Sequence, residues 1–598
     1  MKTFQRIKLS LNVFSFLNIR LSFSLLFLIF PFHFIYSHTV DEAIVETDTF
    51  REIDSSIKEE IEGYETPIRK YINMFDEEKD MMYLDATSNE EDIDDKTLIS
   101  VDTILFAGNK MISSGLIQAL IKKLLSSEHI TPRDLQHLLK SIQKLYYDKG
   151  FLMVDIHLNA TTSNNNSFVI TIDEHRLTKD PHVLIYKKKD DVSWLYNFLS
   201  HKEGEPLNFK KLEREIKILN ELPGYQARAK IRPRSLNTEQ VNVYLNKTDK
   251  INGKVSYDNF GARAIGTERI RTKLTINQPL NFGDQLILSA VNSTNELFNL
   301  YNMNYSFPLN TNGLRAFAQY STAHYRLGSY LDASPASHGD LDYYSAGLEY
   351  PLYLKQNFDL RLGASNNKYN FKSFRNNLNV SNKSRVSNTF YLKGKFNDYF
   401  NGLNFFNLSA HDGRTIIDNL AEKNLDQSSS GEDTLGDYQK VYFNFYRSQS
   451  ILNDLKLDLN YVFQTASRNI DSSERLRVGG PYAVRAYATG EGLGTMGYMI
   501  NADLKYYFQK QNKLITTGSI FYDLSNIKKY KDHYSGLTNN DLIYRGWGLA
   551  IYHRYDNFVV KGTWSKRIGD NPDPLSNGKD YDYTKKMDRF WLMGEYYF

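Results

Sequence analysis

Any chemistry in this 598-residue chain must come from carboxylates, imidazoles, hydroxyls or cationic side chains, because the sequence contains no cysteine. That removes a catalytic thiolate, a thiolate metal site and a disulfide framework. The 13 histidines show no H-E-x-x-H or other metal-ligand spacing. No G-x-x-x-x-G-K-[ST] phosphate loop and no G-x-S-x-G nucleophile elbow occurs. Gly490, Gly492 and Gly494 lack the strand–turn–helix setting that a dinucleotide loop needs. Carboxylates are densest in the run SNEEDIDD (88–95), where solvation explains them. Neither a catalytic residue nor a metal or cofactor is expected. One segment offers another kind of chemistry: Arg477-Val478-Gly479-Gly480-Pro481-Tyr482-Ala483-Val484-Arg485-Ala486-Tyr487, inside a long loop over 467–497. A guanidinium can grip a carboxylate through two parallel hydrogen bonds, which lysine cannot. If buried, it needs such a partner.

The elements that must position this loop alternate with a period of two. Ile270, Thr272, Leu274 and Ile276 oppose Arg271, Lys273 and Thr275; Phe358, Leu360 and Leu362 oppose Asp359, Arg361 and Gly363. Leu455, Leu457, Leu459, Tyr461 and Phe463 oppose Lys456, Asp458 and Asn460. Ile500, Ala502, Leu504, Tyr506 and Phe508 oppose Asn501, Asp503, Lys505 and Tyr507. Each stretch has one apolar and one polar face, as a half-buried strand does. Several run to about ten residues, the length of a tilted strand that crosses a bilayer. A mean hydropathy of −0.49 excludes a polytopic helical membrane protein. The 42 tyrosines and 36 phenylalanines suit a transmembrane barrel, whose lipid-facing residues hide among polar ones. Residues 249–598 therefore predict a closed antiparallel barrel of about 16 strands. The last strand keeps Phe590, Leu592 and Tyr596 in phase and ends on Phe598.

The preceding residues read as an address, a helical segment and two modules. The apolar run 21–36 follows Lys2, Arg6, Lys8 and Arg20, so 1–37 is read as a secretory signal, with an uncleaved anchor as the alternative. Residues 38–98 form an acidic helical segment and linker; 41–96 hold 20 acids against 6 bases, while 97–598 hold 63 bases and 50 acids. No basic helix or arginine-rich run suggests nucleic acid. Residues 99–178 predict strand, helix, helix, strand, strand, with Thr131-Pro132 opening the second helix and Gly150 closing it. Residues 179–248 repeat the pattern. Such modules leave sheet edges that can accept an extended peptide, so substrate binding is expected on the edge strands and grooves of 99–248.

The loop centred on Arg485 resembles the VRGY-type tip of the lumen loop in two-partner secretion translocators (TpsB, haemolysin secretion/activation type), a branch of the BamA-like POTRA/β-barrel superfamily. Phe521-Tyr522-Asp523-Leu524-Ser525 resembles that family's F-x-D-x-G strand motif. Leu207-Asn208 through Leu212-Glu213, Leu219-Asn220 and Leu222-Pro223-Gly224 is similar to its second POTRA module, and Tyr257-Asp258-Asn259 to Gly283-Asp284-Gln285 resembles its first barrel hairpin. The resemblance implies that the loop folds back into the barrel and that Arg485 pairs with Asp523, with Gly479, Gly480, Val484, Tyr487 and Phe521 in support. It implies an outer-membrane location with POTRA-like domains in the periplasm. The implied partners are a secreted, TpsA-like exoprotein client, the outer-membrane lipid and, through Phe598, the barrel assembly machinery. Two departures stand out: the family's glycines are Ala486 and Ser525 here, which puts any role needing positive φ in question. A BamA- or TamA-like assembly factor and a porin-like channel are the alternatives.

Overall fold

The computed structural model describes residues 99–598 apart from 101–102, 126–128, 161–166, 186–192, 236–237, 329–336, 356, 512, 536 and 538. The expected signal peptide (1–37) and acidic helical segment (38–98) lie outside the described residues.

The first module packs two helices, Ser114–Leu124 and Pro132–Lys149, on one face of a three-stranded sheet. Ser167–Glu174 is the central strand, parallel to Thr103–Ala107 and antiparallel to Val154–Ala160. The second helix starts where local chemistry dictates. Thr131 accepts from the Asp134 N–H while Asp134 caps the Thr131 N–H, and Pro132 has no N–H to leave unpaired. Its apolar stripe, Leu135, Leu138, Ile142 and Tyr146, is buried against Ile170 and Ile172. Gly150 ends it at φ 95°, where a Cβ would meet Asn208 Oδ1 at 2.6 Å. Its carbonyl accepts from the Phe209 N–H at 2.7 Å, so the same glycine forms the joint with the second module.

In the second module Thr238–Lys247 is central. Tyr225–Ser235 flanks it antiparallel on one side; Arg176–Leu177 and His182–Ile185 flank it in parallel on the other. The chain thus enters this sheet at Arg176, a few residues ahead of the boundary placed after 178. Helix Phe209–Glu221 covers the sheet with Leu212, Ile216 and Leu219, and Leu195 and Phe198 of a short 3₁₀ helix (Ser193–Phe198) close the core.

Sixteen strands from Ile251–Asp258 to Asp588–Tyr597 form a closed barrel, each antiparallel to the next. The first and last close the ring through Lys254↔Tyr597 to Asp258↔Met593, extended by reciprocal backbone hydrogen bonds between Gly253 and Phe598 at 2.9 Å. Leu362, Phe390, Ile520, Tyr522, Leu504, Leu549 and Phe590 are exposed on the outer wall; Asp523, Ser525, Asn501 and Arg385 are buried on the inner one. The even count returns Phe598 to the end where the modules attach.

Strand lengths depart from the expected ten. The sixth to tenth strands (Ser337–Lys355, Phe358–Arg375, Leu378–Asn397, Gly402–Ile417, Gly436–Leu452) run 16 to 20 residues. Their outer face turns polar at the end away from the modules. The change begins mid-strand, where Asn366 donates to Asn388 at 2.9 Å, and near the far end Arg414 grips Asp437 at 2.5 and 2.8 Å. A bilayer accounts for only about 9–11 residues of such strands. The excess is a wall that stands outside the apolar band, sustained by its own ladder of backbone and side-chain hydrogen bonds.

The second module docks on the near mouth of the barrel. Arg214 donates to the Pro351 carbonyl at 2.7 Å, Gln278 to the Pro223 carbonyl at 2.7 Å, and Lys217 lies 3.5 Å from Asp359. Glu221, at the end of the helix, pairs with Arg361 of the seventh strand. Arg361 in turn lies 3.5 Å from Glu349, which also pairs with Lys393 at 2.7 Å.

Candidate functional site

Residues 467–495 leave the eleventh strand (Leu455–Ala466), descend into the barrel and return to the twelfth (Met496–Lys510). The loop is a knot of small residues around its own backbone. Leu476–Arg477 pairs with Leu493–Gly494, the Gly479 N–H donates to the Glu491 carbonyl at 2.7 Å, and the Val484 N–H donates to the Val478 carbonyl at 2.7 Å. Gly479 is required by space, since a Cβ would fall 2.3 Å from the Ala488 carbonyl oxygen. Gly480 is required by conformation, at φ 116°. Val478, Val484, Ala486 and Tyr487 are fully buried in the resulting tip.

Arg485 projects from this tip onto the barrel wall. Its Nε and Nη2 donate to the two oxygens of Asp523 at 2.9 and 2.7 Å. Its Nη1 and Nη2 donate to the two oxygens of Asp503 at 2.7 and 3.0 Å. The guanidinium carbon lies 3.4 Å from the centre of the Phe521 ring, which it covers. Asp523 also accepts from the Arg485 backbone N–H at 2.9 Å and from Asn501 Nδ2 at 2.8 Å, and is wholly buried. The Arg485 carbonyl accepts from Ser565 Oγ at 2.6 Å and from Trp591 Nε1 at 2.8 Å. One residue is therefore held by five others on four strands. Burial of a charge is tolerable only with this degree of pairing.

Strand register sets the pair of carboxylates. Asn501 faces Asp523 and Asp503 faces Phe521 across the twelfth and thirteenth strands, so both acids lie on the inner wall within one arginine's reach. Asp503 is the residue that the motif reading lacked. The only signal for it was its place in the polar phase of 500–508. Ser565 and Trp591 carry no such signal, since the barrel closure alone brings the last two strands beside the loop.

The remaining candidates cluster around the same point. Tyr487 packs edge-on against Tyr544 at 4.9 Å with Arg567 above its ring at 4.7 Å. Tyr482 packs edge-on against Phe260, itself against Trp591, and Thr489 Oγ1 donates to the Phe260 carbonyl at 2.8 Å. The tip thereby touches the wall where first and last strands meet. Neither Ala486 nor Ser525 adopts positive φ. Ala486 instead meets Gly546, where an added Cβ would come within 2.4 Å of the Ala486 methyl. Ser525 is buried and donates to the Tyr498 carbonyl at 2.9 Å. The two substitutions cost nothing in backbone strain.

A family model described as haemolysin secretion/activation protein ShlB/FhaC/HecB matches residues 237–551. The chain belongs to this family. It is 23% identical over 501 residues to the heme/hemopexin transporter protein HuxB of Haemophilus influenzae (strain 86-028NP), spanning 82% of this chain and 85% of the relative. Among solved structures, CdiB from Escherichia coli shares the fold with a TM-score of 0.74 at 15% identity, covering 95% of this chain and all of that one. CdiB from Acinetobacter baumannii gives 0.67 at 15% identity, covering 94% of this chain and all of that one. The protein is an outer-membrane translocator of the two-partner secretion type, with two POTRA modules in the periplasm and a secreted exoprotein as its partner.

Proposed function

We propose that the Arg485 network is the lock of the export pore. The observation that supports this most is the double carboxylate grip. A surface loop has no need of an arginine whose side chain is 11% exposed and satisfied by Asp503 and Asp523 together. On this reading an unfolded, β-rich client is captured in the periplasm by the edge strands of residues 99–248. The Tyr225–Ser235 strand supports that role, because among the described residues its one strand partner is Thr238–Lys247; on its other edge Asn220 bonds the N–H and carbonyl of Ala227 at 2.7 and 3.0 Å, so an added client strand would pair past that point. The client then passes through the lumen once the tip releases, driven by folding or binding free energy outside. No group in this scheme makes or breaks a covalent bond. Phe598, exposed at the end of the last strand beside Tyr596, is read as the signal taken by the barrel assembly machinery, and the apolar outer wall as the lipid contact. The test is secretion of the cognate exoprotein by Arg485→Ala in a strain where the barrel is checked by heat-modifiable mobility. A folded barrel with secretion reduced at least about tenfold is expected; undiminished secretion rejects the lock.

A further inference from the structure

The descending limb of the lumen loop carries a second buried charge cluster that the motif does not include. Residues 472–474 form a short 3₁₀ turn capped by Asp471, and Glu474 points from it to the wall. Its carboxylate pairs with Arg385 Nε of the eighth strand at 2.9 Å and with Lys440 of the tenth. Arg385 also donates to Ser473, and its guanidinium lies 4.7 Å over the Tyr369 ring. Asp471 lies 3.5 Å from Lys383 of the same eighth strand. The Glu474 carbonyl accepts from Gln464 at 2.9 Å. Glu474, Arg385, Lys440 and Asp471 are all buried.

Position in the ring gives this cluster its meaning. Arg485 is held by the twelfth, thirteenth, fifteenth and sixteenth strands, while Glu474 is held by the eighth and tenth. The carboxylates that hold the Arg485 guanidinium lie on the twelfth and thirteenth strands and the cations that hold Glu474 on the eighth and tenth, so the two ionic contacts sit two to five strands apart in the ring of sixteen. The loop is thus tied to the wall by ionic contacts at two separate places, one at its tip and one on its descending limb. Releasing the tip alone leaves the limb still fixed to the eighth and tenth strands.

We propose that Glu474 is a positioning residue that forms a second anchor of the lumen loop, and that the pore opens fully only when both anchors are free. The inference rests on the reading of Arg485 as a lock, but it fails separately, because it predicts a conductance and not a secretion phenotype.

The purified full-length protein is placed in planar bilayers, and single-channel conductance is compared for wild type, Arg485→Ala, Glu474→Gln and the double variant. Either single change should raise mean conductance modestly, and the double change about tenfold more than the larger single, as coupled anchors on one loop require. Glu474→Asp combined with Arg485→Ala should stay near Arg485→Ala alone, because the shorter carboxylate keeps its charge. Should Glu474→Gln fail to give a heat-modifiable barrel, the wall side is changed instead, as Arg385→Gln with Lys440→Gln on the Arg485→Ala background. A double or wall-side variant that conducts no more than Arg485→Ala overturns the proposal. Normal secretion by Arg485→Ala would reject the lock and leave the conductance comparison to decide the anchor.

Discussion

The two ends of the lumen use the same chemistry in different solvents. At the periplasmic mouth Glu221 of the second POTRA module pairs with Arg361, and the two side chains keep 19% and 22% exposure. At the loop tip Arg485 pairs with Asp523, which keeps none. An ion pair that stays partly in water is worth less than a fully buried one and weakens with salt, over a Debye length of about 10 Å at 0.1 M. A buried pair is weak evidence of net stability, yet breaking it by removing one partner costs about 3–5 kcal/mol. The mouth contact can therefore tune how the module sits, whereas loss of Arg485 would leave two acids on the inner wall without their cation. The backbone follows the same division: the Arg485 N–H and carbonyl are both bonded to the wall, while the helix at the mouth leans on the barrel through side chains.

Five experiments can break or sharpen this contrast. The largest effect after loss of Arg485 itself is expected from Asp523→Asn. It strips charge from the acid that holds both the guanidinium and the Arg485 N–H, and secretion should fall nearly as far as in Arg485→Ala. Asp503→Asn should fall less, since Asp523 keeps its grip; equal losses would mean that the two acids are interchangeable. Next comes Ala486→Leu, which drives a branched side chain against Gly546. Overpacking of this kind costs about 1–3 kcal/mol, and should appear as protease cleavage in the loop with the barrel intact.

A smaller effect is expected at the mouth. Glu221→Gln should speed hydrogen exchange in helix Phe209–Glu221 several-fold at low salt and hardly at all at high salt. A salt-independent effect there would erase the distinction between the two ends. The smallest effect concerns pH. Burial pushes the carboxyl of Glu239 in the second POTRA module up to about 7, although His175, 3.2 Å away, works against that shift. A carboxyl raised in this way contributes stability that is complete below its ordinary pKa near 4.5 and is lost as pH rises through 7. Protection from exchange in the Thr238–Lys247 strand of the full-length protein, taken relative to the base-catalysed rate of a free amide at each pH, should thus fall between pH 5 and 8. Glu239→Gln should flatten that dependence; an unchanged profile would place the titration elsewhere.

The legible parts were those with short-range causes. The helix from Pro132 to Lys149 is written in Thr131, Pro132, Asp134 and Gly150, whose capping roles depend on neighbours within four residues. The inner and outer faces of the barrel are written in the alternation, because successive side chains must point to opposite sides of a strand. The chemistry of Arg485 is likewise intrinsic, since a guanidinium buried among small residues demands acids. Strand length was not legible, because the hydrophobic band ends without the strand ending, and Asn366, Asn388, Arg414 and Asp437 look like loop residues in one dimension.

The sequence by itself determined that residues 249–598 alternate and close, that two α+β modules precede them, and that one glycine-lined loop carries an arginine in need of a carboxylate. Only the tertiary structure decided which acids answer it, that Trp591 and Ser565 hold its carbonyl, and that Glu474 ties the same loop to the eighth and tenth strands. The reason is physical. Alternation and capping are set by nearest neighbours along the chain, whereas the partners of a lumen loop are chosen by ring closure and register, which bring to Arg485 residues from 18 to 106 positions away.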